Sequence, residues 1–136
     1  MIIKHLLGHK FLFSLAILYT GIITWLSLAK VFIPVHVRVE GSDKIGHLLA
    51  YFVFAIVWFL FFFFSKRQSR KFTTSFIWAA LFGFAYGILM EIFQATLTSY
   101  RSPDWKDVIA NASGIVLAVF LLIILKNKIV TYKTNL

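Results

Sequence analysis

Four long apolar runs restrict what this 136-residue chain can fold into. The first is FLFSLAILYTGIITWLSLA (11–29), and the others span residues 45–64, about 72–98 and 108–125. Each is long enough to cross a hydrocarbon core about 30 Å thick at about 1.5 Å per helical residue. Helices satisfy their own backbone hydrogen bonds in lipid. The sequence therefore predicts an all-α integral membrane bundle of four transmembrane helices, forming one domain over residues 1–136.

The composition supports this class and excludes several others. The chain is 60% hydrophobic, its mean hydropathy is +0.86, and its net charge is +9. The basic residues flank the apolar runs and form no separate surface, so we predict no nucleic-acid partner. The absence of cysteine excludes disulfides and thiolate chemistry. The first run exceeds the 7–15 apolar residues typical of a signal peptide, so we expect it to be retained.

The segments that flank the runs differ in charge. With four crossings, both termini and SKRQSRK (65–71) share one side, which holds nine of the 14 basic residues. The positive-inside rule therefore predicts that both termini are cytoplasmic. The other side holds five basic residues, and its mixed charges suggest a paired network. All five acidic residues lie on or near that outer half: Glu40, Asp43, Glu91, Asp104 and Asp107.

The second run opens with GSDKIGHLLAY (41–51). Ser42 is predicted to cap the helix, with Asp43 in the first turn, where the helix dipole favours negative charge. Asp43, His47 and Tyr51 follow at four-residue spacing and share one stripe. A neutral imidazole oriented by a carboxylate is typical of general bases and metal ligands. A histidine that only hydrogen-bonds to its neighbours is the structural alternative.

The third run contains GFAYGILMEIFQ (83–94), with a carboxylate about two turns inside its outer end. Gly83 and Gly87 are predicted to allow close helix packing. Glu91 lies on the same stripe, and an intramembrane carboxylate usually faces a bundle interior or a wet cavity. Gln94 could share its hydrogen bonds. We expect Glu91 to contact Arg101, His47 or Asn111, and a purely structural ion pair is the alternative.

The segment YRSPDWKDVIANASG (100–114) is unusually polar for this chain. Ser102 is predicted as the N-cap of the fourth helix, with Pro103 at its first position. Asp104, Asp107 and Asn111 then share one face. Asn111 lies deeper than capping requires, so this face is expected to pack inward.

Topology brings these three segments together, because each lies at the outer end of its helix. The polar side chains can therefore converge on one outward-opening pocket. The residues predicted to line it are Asp43, His47, Tyr51, Glu91, Gln94, Arg101, Asp104, Asp107 and Asn111.

The sequences DKIGHLLAY, GILMEIFQ and RSPDWKDVIANASG, in this order, resemble the VanZ-like membrane proteins. The resemblance covers about residues 40–120, and its motifs add Lys44, Ser102 and Gly114 to the residues above. It implies a small multi-pass protein of the bacterial cytoplasmic (inner) membrane. It also implies a link to the cell envelope and to resistance against glycopeptides of the teicoplanin type, without identifying a reaction.

The leading functional hypothesis is binding of a membrane lipid headgroup or a lipid-linked envelope precursor at the outer leaflet. Arg101 and Lys44 would hold phosphate or carboxylate, and the acidic side chains would bind amines or hydroxyls. We expect no cofactor and no bound metal.

Two further functions are open. In an enzyme acting on a lipid-linked substrate, His47 would be the base, oriented by Asp43 or Glu91, and Glu91 would be the acid. A metal-assisted version would use His47, Glu91 and Asp107, a set that suits magnesium or calcium better than zinc. A proton-coupled transporter could use Glu91 and His47 as a relay. Four helices are few for a transporter, and a homodimer would supply more.

The charge distribution generates a topology prediction. A reporter that is active only in the cytoplasm should be active when fused after Leu136, because the more basic side is retained inside. A reporter that is active only outside the cytoplasm should stay inactive at the same position. The opposite pair of results would contradict the predicted orientation.

Overall fold

The computed structural model describes residues 7–29, 41–65, 70–99, 102 and 104–136. These residues form five helices and no strand, and four helices are long and apolar enough to cross a membrane. The predicted all-α bundle of four spanning helices is confirmed, and a short fifth helix follows it. The helices are α1 (His9–Leu28), α2 (Ser42–Phe64), α3 (Phe72–Leu97), α4 (Trp105–Ile124) and α5 (Lys126–Thr134).

Both predicted N-caps differ from the structure. Gly41, with φ of 84°, is the N-cap of α2, so the assignment of this role to Ser42 is wrong. Glycine tolerates this left-handed conformation because it lacks a Cβ atom. Asp104 caps α4 by accepting a hydrogen bond of 2.9 Å from the Lys106 backbone N–H, so the cap assigned to Ser102 is also wrong. Pro103 lies outside the described residues.

Helix α2 is the centre of the bundle and packs against α1, α3 and α4. Its middle is lined with aromatic side chains, and Phe54 and Phe59 are fully buried. Phe54 stacks on Tyr86 of α3 with ring centroids 5.2 Å apart, and Trp58 meets Phe82 edge to face at 4.6 Å. Aromatic pairs in these geometries add favourable energy to the packing of the same surface.

Helix α1 is attached to the bundle partly by polar side chains. The Tyr19 hydroxyl donates to the Ala50 carbonyl at 2.9 Å, and the Trp58 indole N–H donates to the Thr20 hydroxyl at 3.2 Å. Thr24 and Tyr86 share a further hydrogen bond. Such bonds help helices associate where lipid contributes little hydrophobic driving force.

The most extensive helix contact joins α2 and α4, which run parallel. At its closest point a Cβ atom on Gly114 would lie 2.1 Å from the Leu48 carbonyl oxygen and 2.9 Å from the Phe52 backbone nitrogen. No side chain fits between these backbones, so glycine sets the distance between the two helices. The contact also fixes which residues of α2 face which residues of α4.

The two ends of the bundle differ in character. We call the end where α2 and α4 begin and α3 ends the polar end. At the opposite, basic end, α5 contacts the end of α2, where the Lys133 ammonium donates to the Phe63 carbonyl. The same ammonium lies 4.0 Å from the centroid of the Phe63 ring. Burial there lowers the pKa of Lys133.

The Gly114 contact generates a stability prediction. Gly114→Ala should lower the free energy of unfolding by about 1–3 kcal/mol, because the methyl group forces two backbones apart. Gly46→Ala is the matched control on α2, since a Cβ atom there has nothing within 4 Å. Its stability should be unchanged or slightly higher, because alanine favours helix over glycine. Reversible unfolding in detergent measures both, and equal stability of the two variants would contradict this assignment.

Candidate functional site at the polar end

The parallel packing of α2 and α4 assembles most of the predicted pocket residues at the polar end. The first two turns of α2 carry Asp43, Lys44 and His47. The corresponding segment of α4 carries Asp107 and Asn111, with Asp104 at its cap. Residues separated by 60–64 positions in sequence thereby become neighbours. The same face of each helix continues into the buried core, and this anchors the polar side chains.

Lys44 lies at the centre of an acidic cluster. Its ammonium donates to Asp104 Oδ2 at 2.6 Å and to Asp107 Oδ1, and it lies 3.7 Å from Asp43 Oδ2. Hydrogen bonds from this ammonium and from the Lys106 backbone N–H hold the pKa of the Asp104 carboxyl below its usual range. The positive charge of Lys44 is therefore neutralised within the protein.

His47 is held in one orientation by α4. Its Nδ1 lies 3.1 Å from Asn111 Oδ1, and an amide oxygen only accepts, so this contact assigns a proton to Nδ1. The other ring nitrogen, Nε2, lies 3.5 Å from Asp107 Oδ2 and 3.9 Å from Asp43 Oδ1. The side chains of His47 and Asp107 are only 12% and 10% exposed. The imidazole thus points one nitrogen at two carboxylates.

Glu91 is buried beneath this cluster, with 6% of its surface exposed. It interacts electrostatically with Asp107 and His47. Within the described part of the chain, neither carboxylate oxygen has a hydrogen-bond partner. The expected bonds to His47 and Asn111 are therefore not formed. The expected contact with Arg101 lies outside the described residues.

Two more buried polar groups lie beside Glu91. The Tyr51 hydroxyl and Asn111 Nδ2 both lack a hydrogen-bond partner among the residues the structure describes. Both side chains adjoin Gly87, one helical turn before Glu91: a Cβ atom there would lie 3.2 Å from the Tyr51 ring and 3.4 Å from Asn111 Nδ2. We call Tyr51, Glu91 and Asn111 the inner polar layer.

Among the predicted pocket residues, Gln94 is placed differently from the rest. Gln94 turns away, because its position on α3 faces α1, and its Nε2 donates to the Ser27 carbonyl at 3.0 Å. Gln94 therefore forms no hydrogen bond with the Glu91 carboxylate among the described residues. Ser102 is exposed, and Arg101 is not among the described residues.

The sequence predicted a paired network of mixed charges on this side of the bundle, but not the partners of Lys44. Lys44 was expected to hold an anionic ligand, but it is bound by Asp104 and Asp107. The basis for this pairing is visible in the sequence only once the register of α2 against α4 is known. One ligand atom each from Asp43, His47 and Asp107 also come within 4.8 Å of one another, a separation that could accommodate a metal ion.

Comparison with known proteins agrees with the motifs that form this site. The model of the family described as VanZ/LLP1 matches residues 10–126, which include all four spanning-length helices apart from the first residue of α1. Comparisons with curated proteins and with solved structures give no significant match. The family match covers most of the chain, and this multi-pass membrane protein belongs to the VanZ/LLP1 family.

Proposed function

We propose that the polar end binds the headgroup of a membrane lipid or of a lipid-linked envelope precursor. In this proposal the polar end faces outward from the bacterial cytoplasmic membrane, and both termini are cytoplasmic. Binding there would affect susceptibility to glycopeptides of the teicoplanin type. The membership of the VanZ/LLP1 family supports the link to such resistance.

The observation that carries the proposal is the inner polar layer. A buried network that only stabilises a fold normally satisfies its members, because each unpaired buried polar group costs about 1–3 kcal/mol. Here Tyr51, Glu91 and Asn111 leave four buried atoms without a described partner. They offer donors and acceptors to an incoming polar group, which would recover the cost.

The charges favour particular parts of a headgroup. Lys44 is already neutralised by two aspartates, so the sequence-based idea that it holds a phosphate is not supported. Hydroxyl or amine groups suit the inner polar layer and the surrounding carboxylates better, because they can donate to these oxygens. The proposed ligand therefore inserts its hydroxyl- or amine-bearing part between α2, α3 and α4.

The orientation of the bundle fits an outward-facing site. Basic side chains collect at the opposite end, where Lys10, Lys71 and Lys126 flank α1, α3 and α4. Such residues favour the cytoplasmic side and attract anionic lipid there. The polar end would then open toward the leaflet in which exported lipid-linked precursors are displayed.

A second candidate function is catalysis on the bound lipid. It is favoured by the fixed orientation of His47, whose Nδ1–H bond to Asn111 leaves Nε2 available as a base. In this reading Glu91 supplies the acid. Release of a free headgroup from lipid by the purified chain would support catalysis, whereas retention of intact lipid would support binding alone.

The proposal is tested with variants of the polar end. His47→Ala and Glu91→Gln should keep the wild-type unfolding temperature in detergent. Native mass spectrometry should show that both variants no longer retain lipid. Neither variant should confer teicoplanin resistance when expressed in a susceptible host. His9→Gln is the control, because this histidine lies at the basic end, where it contacts Ser65. Loss of folding in both polar-end variants, or lipid retention equal to that of the control, would contradict the proposal.

A further inference from the structure

We propose that Asp43, His47 and Asp107 form a binding site for a divalent cation at the polar end. The ligand atoms are His47 Nε2, Asp107 Oδ2 and Asp43 Oδ1. This revises the expectation from sequence that no metal binds. The site does not depend on headgroup binding, because it follows from the geometry of these side chains alone.

The distances suit a shared metal ion. The histidine nitrogen lies 3.5 Å from one carboxylate oxygen and 3.9 Å from an oxygen of the other carboxylate, and one ligand atom from each of the three residues lies within 4.8 Å of the other two. Metal–ligand bonds of about 2.0–2.6 Å separate neighbouring ligands by about 3–4 Å. The nitrogen–oxygen distances are too long for good hydrogen bonds but match this separation.

The surrounding residues orient the three ligands. Asn111 Oδ1 accepts from His47 Nδ1, which turns the lone pair of Nε2 toward the carboxylates. Lys44 binds Oδ1 of Asp107 and lies nearest to Oδ2 of Asp43. The opposite oxygen of each carboxylate faces the histidine, so Lys44 orients the ligands and does not occupy the proposed site.

The local charge also calls for a cation. Asp43, Asp104 and Asp107 contribute three negative charges, and Lys44 and Lys106 contribute two positive charges. With the imidazole counted as neutral, as metal binding requires, these described groups sum to minus one, so the cluster still attracts a cation.

Glu91 provides an independent indication of a ligand. Its carboxylate is more than nine-tenths buried, has no described hydrogen-bond partner, and interacts electrostatically with Asp107 and His47. A cation beside those two residues would stabilise this carboxylate as well. Neither Lys44 nor any other described side chain stabilises the Glu91 carboxylate through a hydrogen bond.

The chemistry of the ligands indicates the class of ion. One imidazole and two carboxylates favour Mn²⁺ or Mg²⁺, with Zn²⁺ less suited because it prefers more nitrogen or sulfur ligands. The Asp43 side chain is 63% exposed, so the site can be reached from the polar end. The remaining coordination positions would hold water or an oxygen of a bound ligand.

Titration with Mn²⁺ alone tests the site. The purified full chain, freed of metal and held in detergent, should bind about one Mn²⁺ and show nitrogen coupling in electron spin echo spectra. Asp107→Asn and His47→Gln should weaken binding at least about tenfold, the lower end of the loss seen even for residues that only support metal ligands. His47→Gln should also abolish the nitrogen coupling. His9→Gln should bind as the wild type does.

Asp43→Asn keeps the test decisive if a buried variant fails to fold, because this exposed side chain contributes little to packing. It should fold normally and bind Mn²⁺ more weakly. Absence of Mn²⁺ binding by the wild type, or equal binding by Asp43→Asn, would overturn the proposal. The titration contains no lipid, so a failure to bind Mn²⁺ would not contradict the proposed headgroup binding. A failure to retain lipid would likewise not contradict the cation site.

Discussion

The backbone contact between α2 and α4 at Gly114 is the constraint on which the polar end depends. Because Gly114 has no Cβ atom, its backbone can lie against the Leu48 carbonyl, so the two helices approach closely and keep one register. That register places Asn111 beside His47 and Asp107 beside Lys44. A small displacement would exchange these contacts for apolar ones, so the polar site and the packing of the core share a single geometric cause.

The polar end combines two kinds of polar group that have opposite energetic consequences. Lys44 pairs with Asp104 near the surface, where exposed ion pairs contribute little to stability, and with Asp107, which is buried. Tyr51, Glu91 and Asn111 lie deeper and leave donors and acceptors unpaired. Aromatic packing around Phe54 and Trp58 offsets this cost in the middle of the bundle. The fold therefore supports a site that its own residues do not fully satisfy.

The sequence predicts the helices well, because the length and apolarity of each run are local properties that a membrane constrains strongly. It also brings His47, Asp107 and Asn111 to one end of the bundle by topology alone. The rotation of each helix about its axis depends on packing between helices, which the local sequence does not specify. The sequence therefore assigned Gln94 to the site, whereas in the structure this side chain faces α1. The caps at Gly41 and Asp104 escaped prediction because neighbouring serines satisfy the same preference.

The most direct test of this account is a disulfide between α2 and α4, in a chain that has no cysteine. In the double variant His47→Cys and Asn111→Cys, oxidation should join the helices, and fragments cleaved at a protease site inserted within residues 66–69 should remain linked. The control is the double variant Ile45→Cys and Ile109→Cys, whose residues are also 64 positions apart. Both of these side chains are exposed, on the helix faces opposite to those that carry His47 and Asn111. This control should separate after cleavage. Linkage of the control pair, or separation of the first pair, would contradict the register from which the site is built.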